Sequence, residues 1–481
     1  MSDPGFTIFL GLLLEYLVQF AIAAMVLVRS KGTPQARLAW LLLVLAVPLL
    51  GLVLFLAIGR IRLNRSRIER FEAAQKNIQR LGPPPSAASD PEEHLEPQLR
   101  KIANAAQSVT DTWLRTGNDC MLFSETDHLF DVMIRDIDSA TASCNFLFYI
   151  YLPDGTGTRV GEALIRAAAR GVACRLLVDA LGAKPFLKSR LRREMENAGI
   201  HIAEALPVAP WRAGFKRIDH RNHRKIAVID GRIGWTGSQN VADAAFAPKR
   251  RYAPWIDLMM RIDGPAVYDL QVLFIEDWLQ ETDDTVETLL TPLPAPHENG
   301  ISLQVVGTGP LCFNQALEAL VQMSLLKAEK ELVLTTPYLV PDQATLASLQ
   351  TSARCGVTTS LIVPARNDSP LVAAASRSFY ENLLEAGVRI YEYLPGLLHA
   401  KTVSIDGLIS IVATANLDRR SFELNAEVSV IVFDESFTKQ LRAVQQVYID
   451  DSIRVELDAW NDRGWHRQLA QNAAGVLAPL L

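Results

Sequence analysis

Of the eight histidines in the chain, His223 and His399 have a lysine two positions later, Lys225 and Lys401, and an aspartate seven positions later, Asp230 and Asp406. Each stretch runs through apolar residues into an Asp-Gly pair. In an extended chain residues i and i+2 point to one face, so the spacing predicts a strand that presents imidazole and ammonium together while the residue between them points away. Beyond each Asp-Gly turn a second strand is expected to end on Thr236-Gly-Ser-Gln-Asn240 and on Ala413-Thr-Ala-Asn416. Those ends supply a hydroxyl (Ser238, Thr414) and an amide (Asn240, Asn416). Paired imidazoles, ammonium groups and amides suit a tetrahedral anion, most naturally a phosphodiester. The lysines would neutralise its non-bridging oxygens and the amides would donate hydrogen bonds as charge builds. One histidine can attack phosphorus while the other protonates the departing alcohol, leaving a phosphohistidine that awaits an acceptor.

Such a site needs a scaffold that delivers the same residues twice, and the sequence from about Arg100 onward is duplicated. Tyr151-Leu-Pro-Asp154, Ala169-Arg-Gly171, the strand Arg175 to Asp179, Ala198-Gly-Ile200 and Glu204-Ala-Leu-Pro207 recur in order. Their counterparts are Tyr338-Leu-Val-Pro-Asp342, Arg354-Cys-Gly356, Leu361 to Pro364, Ala386-Gly-Val388 and Glu392-Tyr-Leu-Pro395. Short β-branched or aromatic runs alternate with helical patterns, as in parallel-sheet units. The glycines read as helix C-caps and the aliphatics as core. The expected fold class is therefore α/β, with two similar domains, residues 99–290 and 291–481, packed about a pseudo-twofold axis. Their junction falls near Leu290 to Gly300.

Composition narrows what surrounds the site. The 481 residues hold 48 Lys plus Arg against 53 Asp plus Glu, which excludes a protein that coats nucleic acid through bulk positive charge. Five widely spaced cysteines without a C-x-x-C pattern indicate neither a disulfide framework nor a zinc ribbon. The apolar surplus is N-terminal. Phe6 to Val28 and Leu38 to Ile58 are each long enough, at about 20 residues, to cross a bilayer, so residues 1–58 are expected to form a transmembrane helical hairpin. Glu15 within the first run is a candidate helix-to-helix polar contact. Residues 59–98 combine a basic juxtamembrane stretch (Arg60, Arg62, Arg65, Arg67, Arg70, Lys76, Arg80) with a Pro-rich linker, Gly82 to Pro97. The basic stretch suits either a solvated helix face or anionic headgroups, and its position puts the large C-terminal part in the cytoplasm.

These residues resemble the phospholipase D superfamily with its paired HKD motifs, and within it the bacterial cardiolipin synthases. The resemblance rests on Arg221-Asn-His-Arg-Lys225, Asp230, Thr236-Gly-Ser-Gln-Asn240, Trp255-Ile-Asp257, Thr336-Pro-Tyr338, Leu397-Leu-His-Ala-Lys401 and Ala415-Asn-Leu-Asp-Arg-Arg-Ser-Phe422, together with the N-terminal hairpin. Ala413-Thr414 departs from the usual Gly-Ser or Gly-Thr, keeping the hydroxyl but adding a methyl group. The resemblance implies a catalytic set of His223, Lys225, Asp230, His399, Lys401 and Asp406. It also implies a downstream carboxylate orienting each histidine, for which Asp257 and Glu427 stand in the right places. Asp230 and Asp406, each preceding a glycine, suit turns and are assigned a structural role; Ser238 and Thr414 would position the phosphate.

The resemblance further implies that one phosphatidylglycerol gives a phosphatidyl-histidine and free glycerol, and that a second attacks to yield cardiolipin. No metal or organic cofactor is implied and no nucleic acid partner is expected. The location implied is the bacterial cytoplasmic membrane, multi-pass, with the catalytic domains facing the cytoplasm. The insertion Trp211-Arg-Ala-Gly-Phe-Lys-Arg217 and the cluster Lys249-Arg-Arg251 are candidate headgroup contacts or ordinary surface, and Trp460, Trp465 and Gly475 to Leu481 either touch the bilayer or close the second domain. Alternatives are a hydrolytic membrane phospholipase D, a membrane-tethered nuclease of the same superfamily, and a catalytically dead lipid-binding scaffold. Intact His, Lys and Asn in both halves argue against the last.

Overall fold

The structure is a computed structural model that describes residues 4–29, 34–58, 65–80, 95–110, 112–207, 220–311, 316–476 and 478. The insertion 211–217 and most of the linker 82–97 lie outside the described residues, as do Arg60 and Arg62. The chain forms two compact units, one built on the N-terminal helices, the other spanning residues 66–207 and 220–481.

In the N-terminal unit, α1 (Pro4–Arg29) is followed by α2 (Pro34–Ala46) and α3 (Pro48–Ile58). Ile22, Val26, Val44 and Phe55 form its core, and Trp40 meets Phe55 edge-on with centroids 5.5 Å apart. The second apolar run is therefore not the single straight span expected. Pro48 has no N–H to continue the ladder, and Gly51 packs so tightly that a Cβ there would lie 2.8 Å from Val44 Cα. Among the described residues no helix is long and apolar enough to cross a membrane.

The larger unit is built on strands. Its first half contains β1 (Arg115–Phe123), β2 (Ser143–Phe148), β3 (Ala173–Asp179), β4 (His201–Ala205), β5 (Lys225–Ile229), β6 (Ile233–Gly237), β7 (Trp255–Ile256) and β8 (Met259–Asp263). The second half contains β9 (Ile301–Thr308), β10 (Glu331–Thr335), β11 (Leu339–Val340), β12 (Thr358–Pro364), β13 (Arg389–Tyr393), β14 (Leu397–Leu398), β15 (Thr402–Ile405), β16 (Ile409–Ala413), β17 (Leu417–Asp418), β18 (Glu427–Phe433) and β19 (Ser452–Val455). Among the described residues fifteen of these join in one sheet, in the order β19-β13-β12-β10-β15-β16-β18-β9-β1-β8-β6-β5-β2-β3-β4. Outward from the antiparallel β9–β1 seam, each half repeats the same arrangement. Four antiparallel strands come first, then an antiparallel step to a parallel trio, β2-β3-β4 or β10-β12-β13. The parallel units expected from the alternating pattern thus occupy only the outer part of each half, and the strands beside the two H-x-K motifs are antiparallel.

The duplicated residues explain why both halves fold alike. Asp154 and Asp342 cap the helices Gly155–Ala169 and Gln343–Arg354 by accepting from Gly157 N and Thr345 N. Those helices end on Gly171 and Gly356 at φ +90° and +93°, backbone that favours glycine. One face of the sheet buries a core spanning both halves: Ile226, Val228 and Met260 with Val305, Val412 and Val430, beneath Phe274 and Trp278 of the helix Val267–Glu281 and Phe437 and Leu441 of the helix Glu435–Asp450.

The basic helix α4 (Arg65–Arg80) docks on this unit. Arg67 pairs with Glu281, Arg70 with Asp283 and the Gln280 carbonyl, and Gln75 with Glu276. Two of its arginines are thus engaged with protein carboxylates, and Glu276, desolvated by burial despite the attraction of Arg224, is raised to about 7.

Asp230 and Asp406 both sit at positive φ (52° and 54°) at the turns between paired strands. Asp230 accepts from the backbone N–H groups of Thr141, Ala142 and Ser143, and Asp406 from those of Glu329, Lys330 and Glu331. Each carboxylate therefore ties its hairpin to the start of β2 or β10. Burial opposes the charge on Asp230, but the amides hold its carboxyl below the ordinary 3.8. A depressed carboxyl contributes stability above its unfolded pKa and loses it as pH falls through the folded one. Asp230→Ala is expected to cost about 1–3 kcal/mol at neutral pH, with the difference from wild type shrinking below about pH 4, as read by denaturant unfolding. An unchanged midpoint at pH 7 would contradict this role.

Candidate active site

The two histidines do not lie within the strands that follow them. β5 begins at Lys225 and β15 at Thr402, so His223 and His399 occupy the extended segments just before. Those segments pair with the opposite half. Ala426 N donates to Arg221 O (3.0 Å) and His223 N to Ala426 O (2.9 Å), which fixes His223 beside the start of β18. In the mirrored arrangement β14 pairs in parallel with β7, and His399 N donates to Ile256 O (2.7 Å).

This exchange brings each imidazole to a carboxylate of the other half. His223 Nδ1 lies 3.1 and 3.0 Å from the two oxygens of Glu427. His399 Nδ1 lies 2.7 Å from Asp257 Oδ1. A carboxylate only accepts, so Nδ1–H is the donor in each pair and Nε2 keeps its lone pair. Both acids are held in turn. Thr414 Oγ1 donates to Glu427 Oε2 (2.5 Å) and Asn425 Nδ2 to Oε1 (3.2 Å). Ser238 bonds Leu258 N and O at 2.9 and 3.3 Å and helps stabilise the Asp257 anion. Of the two hydroxyls expected to meet phosphate, Thr414 is thus engaged with the Glu427 carboxylate and Ser238 with the backbone of Leu258.

Lys225 and Lys401 each donate to the carbonyl of the histidine two residues earlier, at 2.8 and 2.5 Å. Tyr149, immediately after β2, meets the His223 ring at 5.0 Å and lies 5.7 Å from Lys225 Nζ. Trp255 stacks obliquely on His399 at 4.8 Å. Asn240 Oδ1 accepts from Ile150 N (3.1 Å), whereas Asn416 Nδ2 donates to Asp418 (3.2 Å) and its buried Oδ1 meets no donor among the described residues.

The residue between His223 and Lys225 does point away, as the spacing requires. Arg224 is buried behind the site, where Nη1 pairs with Asp277 (2.8 Å), Nη2 donates to Thr308 O (3.2 Å) and Nε to Glu427 O (3.1 Å). Sequence reasoning did not single out Arg224, Asp277, Asn425 or Tyr149. The available signal was an arginine inside a strand-like run, which demands a buried counter-charge.

The four bases share one field. Burial pushes His223 down to about 4, with Glu427 pulling upward and both Lys225 and Lys401 pushing further down. Burial likewise lowers His399, opposed by Asp257 and aided by Lys401 and Lys225. Lys225 falls to about 7 and Lys401 to about 8, chiefly through burial. Glu427 drops to about 2 and Asp257 is lowered: burial opposes their charge, but the facing imidazole and ammonium groups win. Because each lysine influences the histidine of the opposite half, the two motifs act as one cluster. At neutral pH it offers two neutral imidazoles as potential nucleophiles beside ammonium groups that an arriving phosphodiester would hold protonated.

Known proteins resemble this chain over nearly its full length. The family model described as "Cardiolipin synthase, PLD-like domain" matches residues 133–278 and 322–446, and the model "Phospholipase_D-nuclease N-terminal" matches residues 20–60. The chain is 35% identical over 477 residues to cardiolipin synthase A of Pectobacterium carotovorum subsp. carotovorum (strain PC1), covering 97% of each chain. It is also 35% identical over 478 residues to cardiolipin synthase A of Yersinia pseudotuberculosis serotype O:1b (strain IP 31758), again 97% of each. In fold it is similar to the crystal structure of phosphatidylserine synthase from Haemophilus influenzae Rd KW20, with TM-score 0.59 and 15% identity over 79% of this chain and 98% of that one.

Binding an anion keeps both lysines charged, so where the free protein has begun to lose their protons, binding is accompanied by proton uptake. Affinity for an inorganic probe such as tungstate is therefore expected to fall as pH climbs through about 7 to 8, with calorimetry in buffers of different ionisation enthalpy showing proton uptake. Affinity that stays flat through this window would contradict the shared field.

Proposed function

Because the chain belongs to the cardiolipin synthases with phospholipase D-like domains, we propose that it transfers a phosphatidyl group between two phosphatidylglycerol molecules, giving cardiolipin and glycerol. The observation that carries this reading is the exchanged pairing of each imidazole with a carboxylate from the opposite half. It leaves two Nε2 atoms free for complementary roles on one phosphorus.

In the first step one Nε2 attacks phosphorus, forming a P–N bond as the P–O bond to the terminal glycerol breaks. The second imidazole, protonated once the anionic substrate raises its pKa, gives its proton to the departing glycerol oxygen. In the second step the glycerol hydroxyl of another phosphatidylglycerol attacks, losing its proton to that same second imidazole. A P–O bond forms, the P–N bond breaks and both histidines return to their starting state. General acid–base help of this kind is worth roughly 10²- to 10⁴-fold. Lys225 and Lys401 neutralise the non-bridging oxygens, Asn240 and Asn416 lie beside the phosphate, and Glu427 and Asp257 support the imidazolium as it forms. Ser238 and Thr414 act through those carboxylates, while Asp230 and Asp406 hold the hairpins. The acid–base steps need neither metal nor organic cofactor.

The N-terminal apolar helices hold the chain at the bacterial cytoplasmic membrane as a multi-pass hairpin, with domains 99–290 and 291–481 on the cytoplasmic side. The sequence runs 6–28 and 38–58 support this placement, as does the lipid nature of both substrates. Tethering enzyme and both lipids to one surface raises their effective concentration and favours transfer over hydrolysis.

Full-length protein in phosphatidylglycerol vesicles is expected to release glycerol and form cardiolipin in equal amounts. His223→Ala and His399→Ala should each lower the rate by about 10³-fold or more. Phosphatidic acid as sole product would make it a hydrolytic phospholipase D, and degradation of single-stranded DNA would point to a nuclease. Appreciable cardiolipin formation by both variants would overturn the mechanism.

A further inference from the structure

The last helix, Trp465–Val476, is connected to the catalytic lysine by a short series of contacts. Ala474 and Ala478 are buried with Val340 and Ala375, and Gly475 sits so close to the neighbouring helix Pro370–Arg377 that a Cβ would lie 2.5 Å from Ser378 Oγ. That neighbour starts two residues after Asp368, which accepts from Tyr338 Oη (2.7 Å), pairs with Lys249 and lends its charge to Lys401. On the other flank Val340 lies in β11, paired with β17 directly after Asn416. The last helix therefore stands at the rim of the phosphodiester site.

Its outer face has the wrong polarity for water. At about 3.6 residues per turn, Trp465, Leu469, Ala473 and Val476 form one stripe, opposite the buried Ala474. Trp465, Leu469 and Val476 are 75%, 61% and 79% exposed. The helix has no acidic residue and carries His466 and Arg467. Leu371, in the first turn of the neighbouring helix Pro370–Arg377, and Leu394, directly after β13, add exposed apolar surface. Arg250, Arg251 and Arg366 are exposed along the same rim, where the Lys249–Asp368 pair brings the 247–252 turn to the second half. An apolar stripe with tryptophan at one end and arginines around it has the make-up of a surface that lies in the headgroup layer of an anionic bilayer.

We propose that this rim seats the catalytic mouth on an anionic lipid surface, with Trp465, Leu469 and Val476 entering the headgroup layer and Arg250, Arg251, Arg366 and Arg467 facing the anionic headgroups. The proposal rests on the reading of the site as one that takes bilayer lipids. Seated this way, a substrate reaches the histidines without leaving the membrane. A water-soluble short-chain substrate does not need the contact.

The test compares full-length protein in phosphatidylglycerol and phosphatidylcholine vesicles by hydrogen–deuterium exchange, alongside a variant combining Trp465→Ser, Leu469→Ser and Val476→Ser. Residues 465–476 are expected to exchange more slowly in phosphatidylglycerol. The variant should form cardiolipin about tenfold more slowly in those vesicles, yet stay within about twofold of wild type on monomeric short-chain phosphatidylglycerol. Its thermal unfolding should match wild type, since the substitutions leave the Ala474 face intact. Equal exchange in the two lipids, or equal rates of variant and wild type in vesicles, would overturn the proposal. Protection that follows protein concentration rather than lipid would assign the stripe to a second copy of the chain and also overturn it. Protection without cardiolipin from either substrate would instead sink the functional reading and leave the seating intact.

Discussion

A buried imidazole serves as nucleophile and acid only if its second nitrogen is held, and here the holding group always comes from the other half of the chain. Glu427 begins β18 and grips His223; Asp257 follows β7 and grips His399. Neither half can assemble its own histidine–carboxylate pair. The exchange makes the backbone contacts of Ala426 with Arg221 and His223, and of β14 with β7, part of the chemistry. They set the position of two rings that must meet a single phosphorus.

Burying two lysines, two carboxylates and two imidazoles together is costly unless each charge faces another. The cluster balances its signs: Lys225 and Lys401 against Glu427 and Asp257, with both rings neutral. Burial drives the lysines toward neutrality, and the negative charge of a phosphodiester restores their protonation. Behind it, Arg224 ties Asp277 of the helix Val267–Glu281 to the carbonyls of Glu427 and Thr308. The same helix receives Arg67, Arg70 and Gln75 of the basic helix α4. A continuous path of polar contacts thus runs from the segment following the N-terminal helices to the His223–Glu427 pair.

Much of this was legible in the sequence because it depends on local rules. The H-x-K spacing, the capping aspartates Asp154 and Asp342 and the glycines Gly171 and Gly356 each act within a few residues. The unread part depends on distant pairing. The resemblance names Asp257 and Glu427 as the orienting acids, but nothing near His223 says that its partner is Glu427, 204 positions away, rather than the nearer Asp257, nor does anything near Arg224 name Asp277. Ser238 and Thr414 suit phosphate by sequence because a hydroxyl at a strand end can serve either role, and only the position of Leu258 or Glu427 decides. The bend at Pro48 was legible in principle. An apolar average does not register it, because proline and Gly51 are both compatible with one.

Whether the two motifs form one catalytic centre is tested most directly by trapping the intermediate. Protein mixed briefly with phosphatidylglycerol, quenched in base and mapped by mass spectrometry should carry a phosphorylated histidine at either His223 or His399, never at more than one position in a chain. Adducts on both histidines of a single chain, or cardiolipin formed at full rate with no adduct, would contradict the shared centre.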